Sequence, residues 1–261
     1  MLEPKFDVDC NSICKGEMML KLPTIRGVIE RRILANYHID PDVMQSNLPP
    51  PFRPKLVNGY GLAGICLIRL KSIRPRFFPF PWGLGSENAA HRFAVEWDAQ
   101  GRRHEGVFVP RRDTNSWLNV LAGGRIFPGV HHRAAFVVSE SNEQFSVSLK
   151  SIDGQTSLSV AGSVSESEHL SDTSVFPSIS AASDFFQTGS LGYSATNTPG
   201  RYDGLELCCN QWKVESMKID KIQSSFFEDQ SRFPRGSVAF DCALLMRDIK
   251  HEWRGREDLC C

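Results

Sequence analysis

The chain has 261 residues, 41% of them hydrophobic and 23% charged, and its 30 basic and 30 acidic side chains cancel to a formal charge of zero. That length suits one large domain able to bury roughly three quarters of its unfolded surface. The charge balance excludes a field that would steer the protein to nucleic acid or an anionic membrane, and leaves small molecules or other proteins as partners.

In chain order, residues 1–23 read as a weakly ordered leader. Glu3, Lys5, Asp7 and Asp9 are charged, and the apolar run Met18–Leu20 is too short for a signal segment. No stretch approaches a membrane span, so a cytoplasmic protein is the expectation. A domain is expected over 24–254, with 255–261 as a tail.

Asp40-Pro41 supplies a helix N-cap and first turn, and the helix must stop before Pro49-Pro50-Pro51. Asn58-Gly59 then turns the chain into an apolar strand, Gly61–Leu70, ending before Arg74-Pro75. Arg92–Trp97 alternates, turns at Asp98-Ala99-Gln100-Gly101, and continues as His104–Pro110. Asp113 is the expected cap of a second helix through Trp117, Leu118, Val120 and Leu121, terminated by Gly123-Gly124. Strands follow at Arg133–Ser139, Phe145–Leu149 and Ser157–Val160, the last two joined at Asp153-Gly154. Ser163–Ser174 reads as an exposed loop or hairpin edge, Ala181–Gln187 as a third helix, and Leu205–Val214 and Ser237–Met246 as late strands. Many short strands with few helices imply a mainly β fold: a closed antiparallel barrel with short helices outside it.

Several motifs have bland readings. Gly59-Tyr-Gly61-Leu-Ala-Gly64 has the dinucleotide-fingerprint spacing, but it leads into a strand where that fingerprint needs a helix. Its glycines are better explained by a turn and close backbone packing. The eight cysteines contain no C-x-x-C pair, so they read as reduced thiols without structural zinc. The terminal Cys260-Cys261 reads as a dispensable end rather than a prenylation signal, because no basic segment accompanies it. No G-x-S-x-G elbow is present.

Chemistry-bearing residues gather between Ser86 and His132: Glu87, His91, Glu96, Arg111, Arg112, Asp113, Arg125, His131 and His132. Adjacent His131 and His132 on an extended backbone face opposite ways, so only one enters a given compartment. A buried histidine beside a carboxylate serves as acid, base or metal ligand. The competing reading is a structural ion-pair network.

The stretches RRILANYHIDPDVMQSNLPPPFRPKLVNGY, SENAAHRFAVEWD, EGVFVPRRDTNSWLNVLAGGRIFPGVHH and GYSATNTPGRYDGLEL resemble the YqjF-type, mainly bacterial branch of uncharacterised function within the acetoacetate decarboxylase-like superfamily. The resemblance runs over about residues 24–254. It implies a single closed antiparallel β-barrel whose lumen holds the reacting group, no cofactor, and a tendency to homo-oligomers. In true decarboxylases a lumenal lysine beside a second lysine forms a Schiff base with a β-keto acid. The matching text here is Ala122–His132, which puts His131 and His132 where that pair would stand, and no lysine occurs between Lys71 and Lys150. Histidine has no primary amine, so lysine-dependent decarboxylation is not expected. Glu87 is similar to a lumenal glutamate of the superfamily, and Glu30-Arg31-Arg32 stands, offset by one, where its substrate-binding arginine would be, without assigning which arginine takes the role.

The resulting expectation is a lumenal site for a small carboxylate- or carbonyl-bearing molecule, with Glu87 and His131 or His132 as candidate catalytic groups. Arg31, Arg111, Arg112 and Arg125 are the candidate anion-binding groups. A lysine-independent lyase, hydratase or isomerase is compatible with these residue types. The alternatives are a non-catalytic binding or scaffold protein of the stress-accessory kind, and a metal site formed by His91, His131 and Glu87.

Overall fold

A computed structural model describes residues 24–261 apart from 78, 80–82, 126, 168 and 210. The leader expected over 1–23 lies outside the described residues. The strands are β1 (Ile25–Ile39), β2 (Arg53–Pro54), β3 (Leu56–Val57), β4 (Tyr60–Pro75), β5 (Leu84–Ala99), β6 (Arg102–Thr114), β7 (His131–Glu140), β8 (Gln144–Ser151), β9 (Ser157–Val164), β10 (Leu191–Ala195), β11 (Arg201–Cys209), β12 (Glu215–Ser224) and β13 (Val238–Cys260). Three helices accompany them: α1 (Pro41–Ser46), α2 (Trp117–Ala122) and α3 (Ile179–Thr188). The expected β-rich architecture is present. None of these helices is long and apolar enough to cross a membrane.

The strands form one sheet whose extra pairings, β5 with β6 and β11 with β13, close it twice. A larger ring runs β6-β7-β8-β9-β12-β13-β1-β4-β5, and a smaller one runs β6-β10-β11-β13-β1-β4-β5. Strands β13, β1, β4, β5 and β6 therefore form a wall shared by two compartments. The sequence reflects this position. Wall strands bury both faces, as in the unbroken buried runs Ile33–Tyr37 and Gly61–Leu67, whereas β8 buries only alternate residues.

Turn chemistry acts where expected. Asn58 and Gly59 have φ of 49° and 84° in the two-residue turn between β3 and β4, and Gln100 and Gly101 have φ of 52° and 70° between β5 and β6. Gly61 and Gly64 lie inside β4 pressed against Met44 and the Ala35 carbonyl, so the fingerprint-like spacing is a packing feature.

Asp40 caps α1, accepting from the backbone of Asp42 and Val43. The cap of α2 is corrected: Ser116 accepts from the Asn119 amide, while Asp113 remains in β6 and is fully buried. Local cap propensity was outweighed there by an ion pair with Arg111. The expected tail is also corrected. β13 continues to Cys260, pairing Tyr202 with Leu259 and Arg201 with Cys260, and Leu259 is buried. Cys66, Cys208, Cys209 and Cys242 are free thiols, but Cys260 and Cys261 are disulfide-bonded.

Candidate functional site

The wall strands send alternate side chains into the two compartments. On the larger-ring face, Arg31 of β1 stands opposite Arg69 of β4, which stands opposite Glu87 of β5. Arg31 donates to Glu87 Oε2, and Arg69 Nε donates to Glu87 Oε1. Glu140 closes the group: Arg69 Nη1 donates to its Oε2 at 2.8 Å. Arg31 Nε approaches its Oε1 at 2.9 Å as an ion pair without hydrogen-bond geometry. Two arginines and two glutamates thus balance one another. Burial lowers the Arg31 pKa from its ordinary value, opposed by Glu87 and Glu140.

A second cluster of paired charges sits beside the first. Arg111 donates to Asp113 at 2.8 Å and to Asp153 at 2.9 Å, and His132 Nδ1 lies 3.2 Å from Asp153. Desolvation of the Asp153 carboxyl is outweighed by hydrogen bonds from Ser151 and the Gln155 amide and by Arg111, which together hold its pKa down at about 2. The rest of this compartment is packed with side chains. Tyr37, Phe93, Phe226, Phe227 and Phe233 form a continuous group of ring contacts. His91 lies within it, 4.5 Å from the Phe226 ring, with neither ring nitrogen hydrogen-bonded. Burial, helped by Arg111 and Arg232, pushes its pKa down to about 3.

The open space is on the other face. A cavity of about 320 Å³ occupies the smaller ring, walled by β4, β5, β6, β10 and β11 and bordered by α2 and α3. Arg112 and His131, paired in the parallel β6–β7 register, both line it. Arg112 donates through Nε and Nη2 to Ser194 Oγ at 3.0 and 2.9 Å, and burial draws its pKa down to about 10. His131 is held by a contact of 3.0 Å between Nδ1 and the Gly129 carbonyl, which fixes Nδ1 as the protonated nitrogen and leaves Nε2 as an acceptor. Burial first, then the Arg112 charge, pushes its pKa down to about 3, so the ring is neutral at pH 7.

Two glycines make this arrangement possible. Gly129 has φ of 80°, and a Cβ there would meet Ser194 Cβ at 2.8 Å and Arg112 Nε at 2.9 Å. A Cβ on Gly123 would meet His131 Nδ1 at 2.5 Å. The Gly129 amide also donates to Asp203 Oδ2 at 3.2 Å, whose carboxyl pKa is raised by burial.

Of the sequence-predicted residues, the structure therefore brings Arg112 and His131 together at a cavity. It places Glu87, Arg31, Arg111 and His132 in ion clusters across the sheet. The joint lumenal site expected for Glu87 with a histidine is not formed, because β5 turns Glu87 away from the cavity while its neighbours Ser86 and Asn88 line it. Arg125 is exposed in the turn after α2. His91, His131 and Glu87 do not converge, and no group of three metal-ligating side chains occurs among the described residues. Sequence reasoning missed Arg92 and Ser194, and left the anion-binding arginine of Glu30-Arg31-Arg32 unassigned. The available signal was alternation: Arg92 lies four residues, an even step, from Asn88 on one strand face.

This β-rich, doubly closed sheet is the acetoacetate decarboxylase-like fold. An acetoacetate decarboxylase from Legionella pneumophila superposes with a TM-score of 0.58 at 12% identity, covering 98% of this chain and 97% of that one. The enduracididine biosynthesis enzyme MppR, complexed with pyruvate, gives 0.56 at 12% identity over 93% and 92%. An acetoacetate decarboxylase-like enzyme from Sphingomonas wittichii RW1 gives 0.54 at 10% over 92% and 93%. At such identities the likeness is one of fold. No curated protein matches the sequence. Residues 28–239 match the DUF2071 family model, described as an uncharacterized conserved protein, and the chain belongs to that family.

Proposed function

We propose that the protein binds a small carboxylate- or carbonyl-bearing molecule in the smaller-ring cavity, without Schiff-base chemistry. The observation that carries this reading is Arg112 beside neutral His131 in the wall of a cavity large enough for a compact ligand. Arg112 would receive the oxygen that bears negative charge, and Ser194 holds its guanidinium in place. His131 Nε2 would accept a hydrogen bond from a ligand hydroxyl or a proton from the adjacent carbon. Those two roles together are also what a proton abstraction beside a carbonyl requires. No lysine lines the cavity among the described residues, so an imine has no amine to form on.

The test is calorimetric titration with short carboxylates and 2-oxo acids against wild type and Arg112→Gln. Binding to wild type that weakens roughly ten- to a hundredfold in the variant is expected from loss of one charge-assisted contact. Equal binding by both proteins would overturn the assignment. Borohydride reduction in the presence of acetoacetate should leave the mass of the protein unchanged, and a covalent adduct would refute a lysine-free mechanism.

A further inference from the structure

Arg112 is one of four arginines that line this cavity, and one of the others, Arg74, donates to the Ser72 carbonyl. Arg32 of β1 and Arg92 of β5 both line it. Arg92 is 5% exposed, and its Nε has no hydrogen-bond partner. Its Nη2 donates to the amide oxygen of Asn36, and its guanidinium lies 4.6 Å from the Phe186 ring centroid. Arg32 Nε donates to Cys66 Sγ at 3.1 Å, and its guanidinium lies 5.5 Å from the Trp212 centroid. These partners (a thiol, an amide and two aromatic faces) orient a cation without cancelling its charge. Neither arginine forms an ion pair among the described residues, unlike Arg31, Arg69 and Arg111 on the other face of the sheet.

The register fixes how Arg32, Arg92 and Arg112 are spaced. Leu34, Cys66, Ala90 and Arg112 form one row across β1, β4, β5 and β6. Arg32 and Arg92 stand two residues to either side of this row on β1 and β5, on the cavity face, and their side chains come together at one recess beside Phe185 and Phe186. Strands about 4.8 Å apart, with a two-residue step of about 6.7 Å, separate the Arg32 and Arg112 backbones by roughly 14–16 Å. Long side chains reaching inward from such anchors leave room for a short linear molecule between them.

We propose that the Arg32–Arg92 pair is a second anion subsite, so that the ligand carries two anionic groups, one for this pair and one for Arg112. This rests on the reading of the cavity given above and narrows it to small dianions of the dicarboxylate class. Two neighbouring like charges, one buried and one half-buried, without a counterion are unfavourable in the empty protein. A ligand anion relieves that, so the second charge of a dianion contributes directly to affinity.

The test is titration at constant ionic strength with straight-chain dicarboxylates from succinate to suberate, each compared with the monocarboxylate of equal length. Wild type, Arg92→Met, Arg32→Met and Arg112→Gln are compared. The best dicarboxylate should bind wild type roughly ten- to a hundredfold more tightly than its monocarboxylate. That preference should vanish in Arg92→Met and in Arg32→Met, with monocarboxylate binding retained. The wild-type comparison needs no variant to fold. If mono- and dicarboxylates bind wild type equally and only Arg112→Gln weakens them, the second subsite is overturned while the cavity reading stands. If no member of either series binds, both fall.

Discussion

The two compartments on either side of the shared wall treat buried charge in opposite ways. In the larger ring every arginine named above has a carboxylate partner: Arg31 and Arg69 with Glu87 and Glu140, Arg111 with Asp113 and Asp153. The space beside them is filled by aromatic rings. In the smaller ring Arg32, Arg92 and Arg112 rest on thiol, amide, hydroxyl and ring partners beside about 320 Å³ of open volume. A charge cluster that closes on itself has nothing left to offer a ligand. Guanidiniums held in place but not neutralised retain their capacity for an anion.

That contrast breaks most sharply at Glu87. Glu87→Gln leaves Arg31 buried with weakened compensation and should cost about 3–5 kcal/mol of unfolding free energy, measured by urea denaturation. The double replacement Arg31→Met with Glu87→Leu should recover most of that loss, because Arg69 and Glu140 still pair with each other. Neither change should weaken carboxylate binding. If Glu87→Gln folded with unchanged stability but lost binding, the balanced cluster would be part of the site after all.

A second effect uses the two buried histidines, one in each compartment. Both have folded pKa values near 3, below the ordinary 6.5. A base whose pKa is depressed by folding binds protons more weakly in the native state. Its contribution is therefore fully present above pH 6.5 and is lost progressively as pH falls toward 3. Each histidine should remove about 2 kcal/mol of stability between pH 7 and pH 5. His91→Phe should abolish its share whether or not ligand is present. The His131 share should shrink when a carboxylate occupies the cavity, because a nearby anion favours the protonated ring. Denaturation curves at several pH values, with and without ligand, separate the two. Equal responses of both histidines to ligand would refute the division of the molecule into a filled and an open side.

Much of the fold was legible in the sequence because its signals are local. Asp40-Pro41, Asn58-Gly59, Gln100-Gly101 and Asp153-Gly154 set a helix start and three turns through backbone conformations that need no tertiary context. The division of the site was not legible. Alternation told that His131 and His132 face opposite ways, but not which compartment would be hollow. That depends on Phe226, Phe227 and Phe233, more than ninety residues further on, filling one side. Asp113 shows the same limit from another direction: a good helix cap by type became a buried ion-pair partner because Arg111 was placed beside it. The end of β13 carries no local strand signal for a related reason. Residues 255–260 are mostly charged or small, and only their pairing with β11 makes them a strand.

The smallest expected effect is also the one with an unusual sign. Most substitutions of a fully buried side chain destabilise, yet Arg92→Met should raise the stability of the ligand-free protein by about 1 kcal/mol or more. The methionine retains an apolar stem beside Phe186 and removes a charge that has no carboxylate partner. The Asn36 amide oxygen loses its donor, which offsets part of the gain. Set against Glu87→Gln, the same type of change, neutralising one buried charge, should move stability in opposite directions on the two faces of one sheet. A destabilised Arg92→Met would mean that Arg92 is compensated in the empty protein, and the contrast between the compartments would then lie in volume alone.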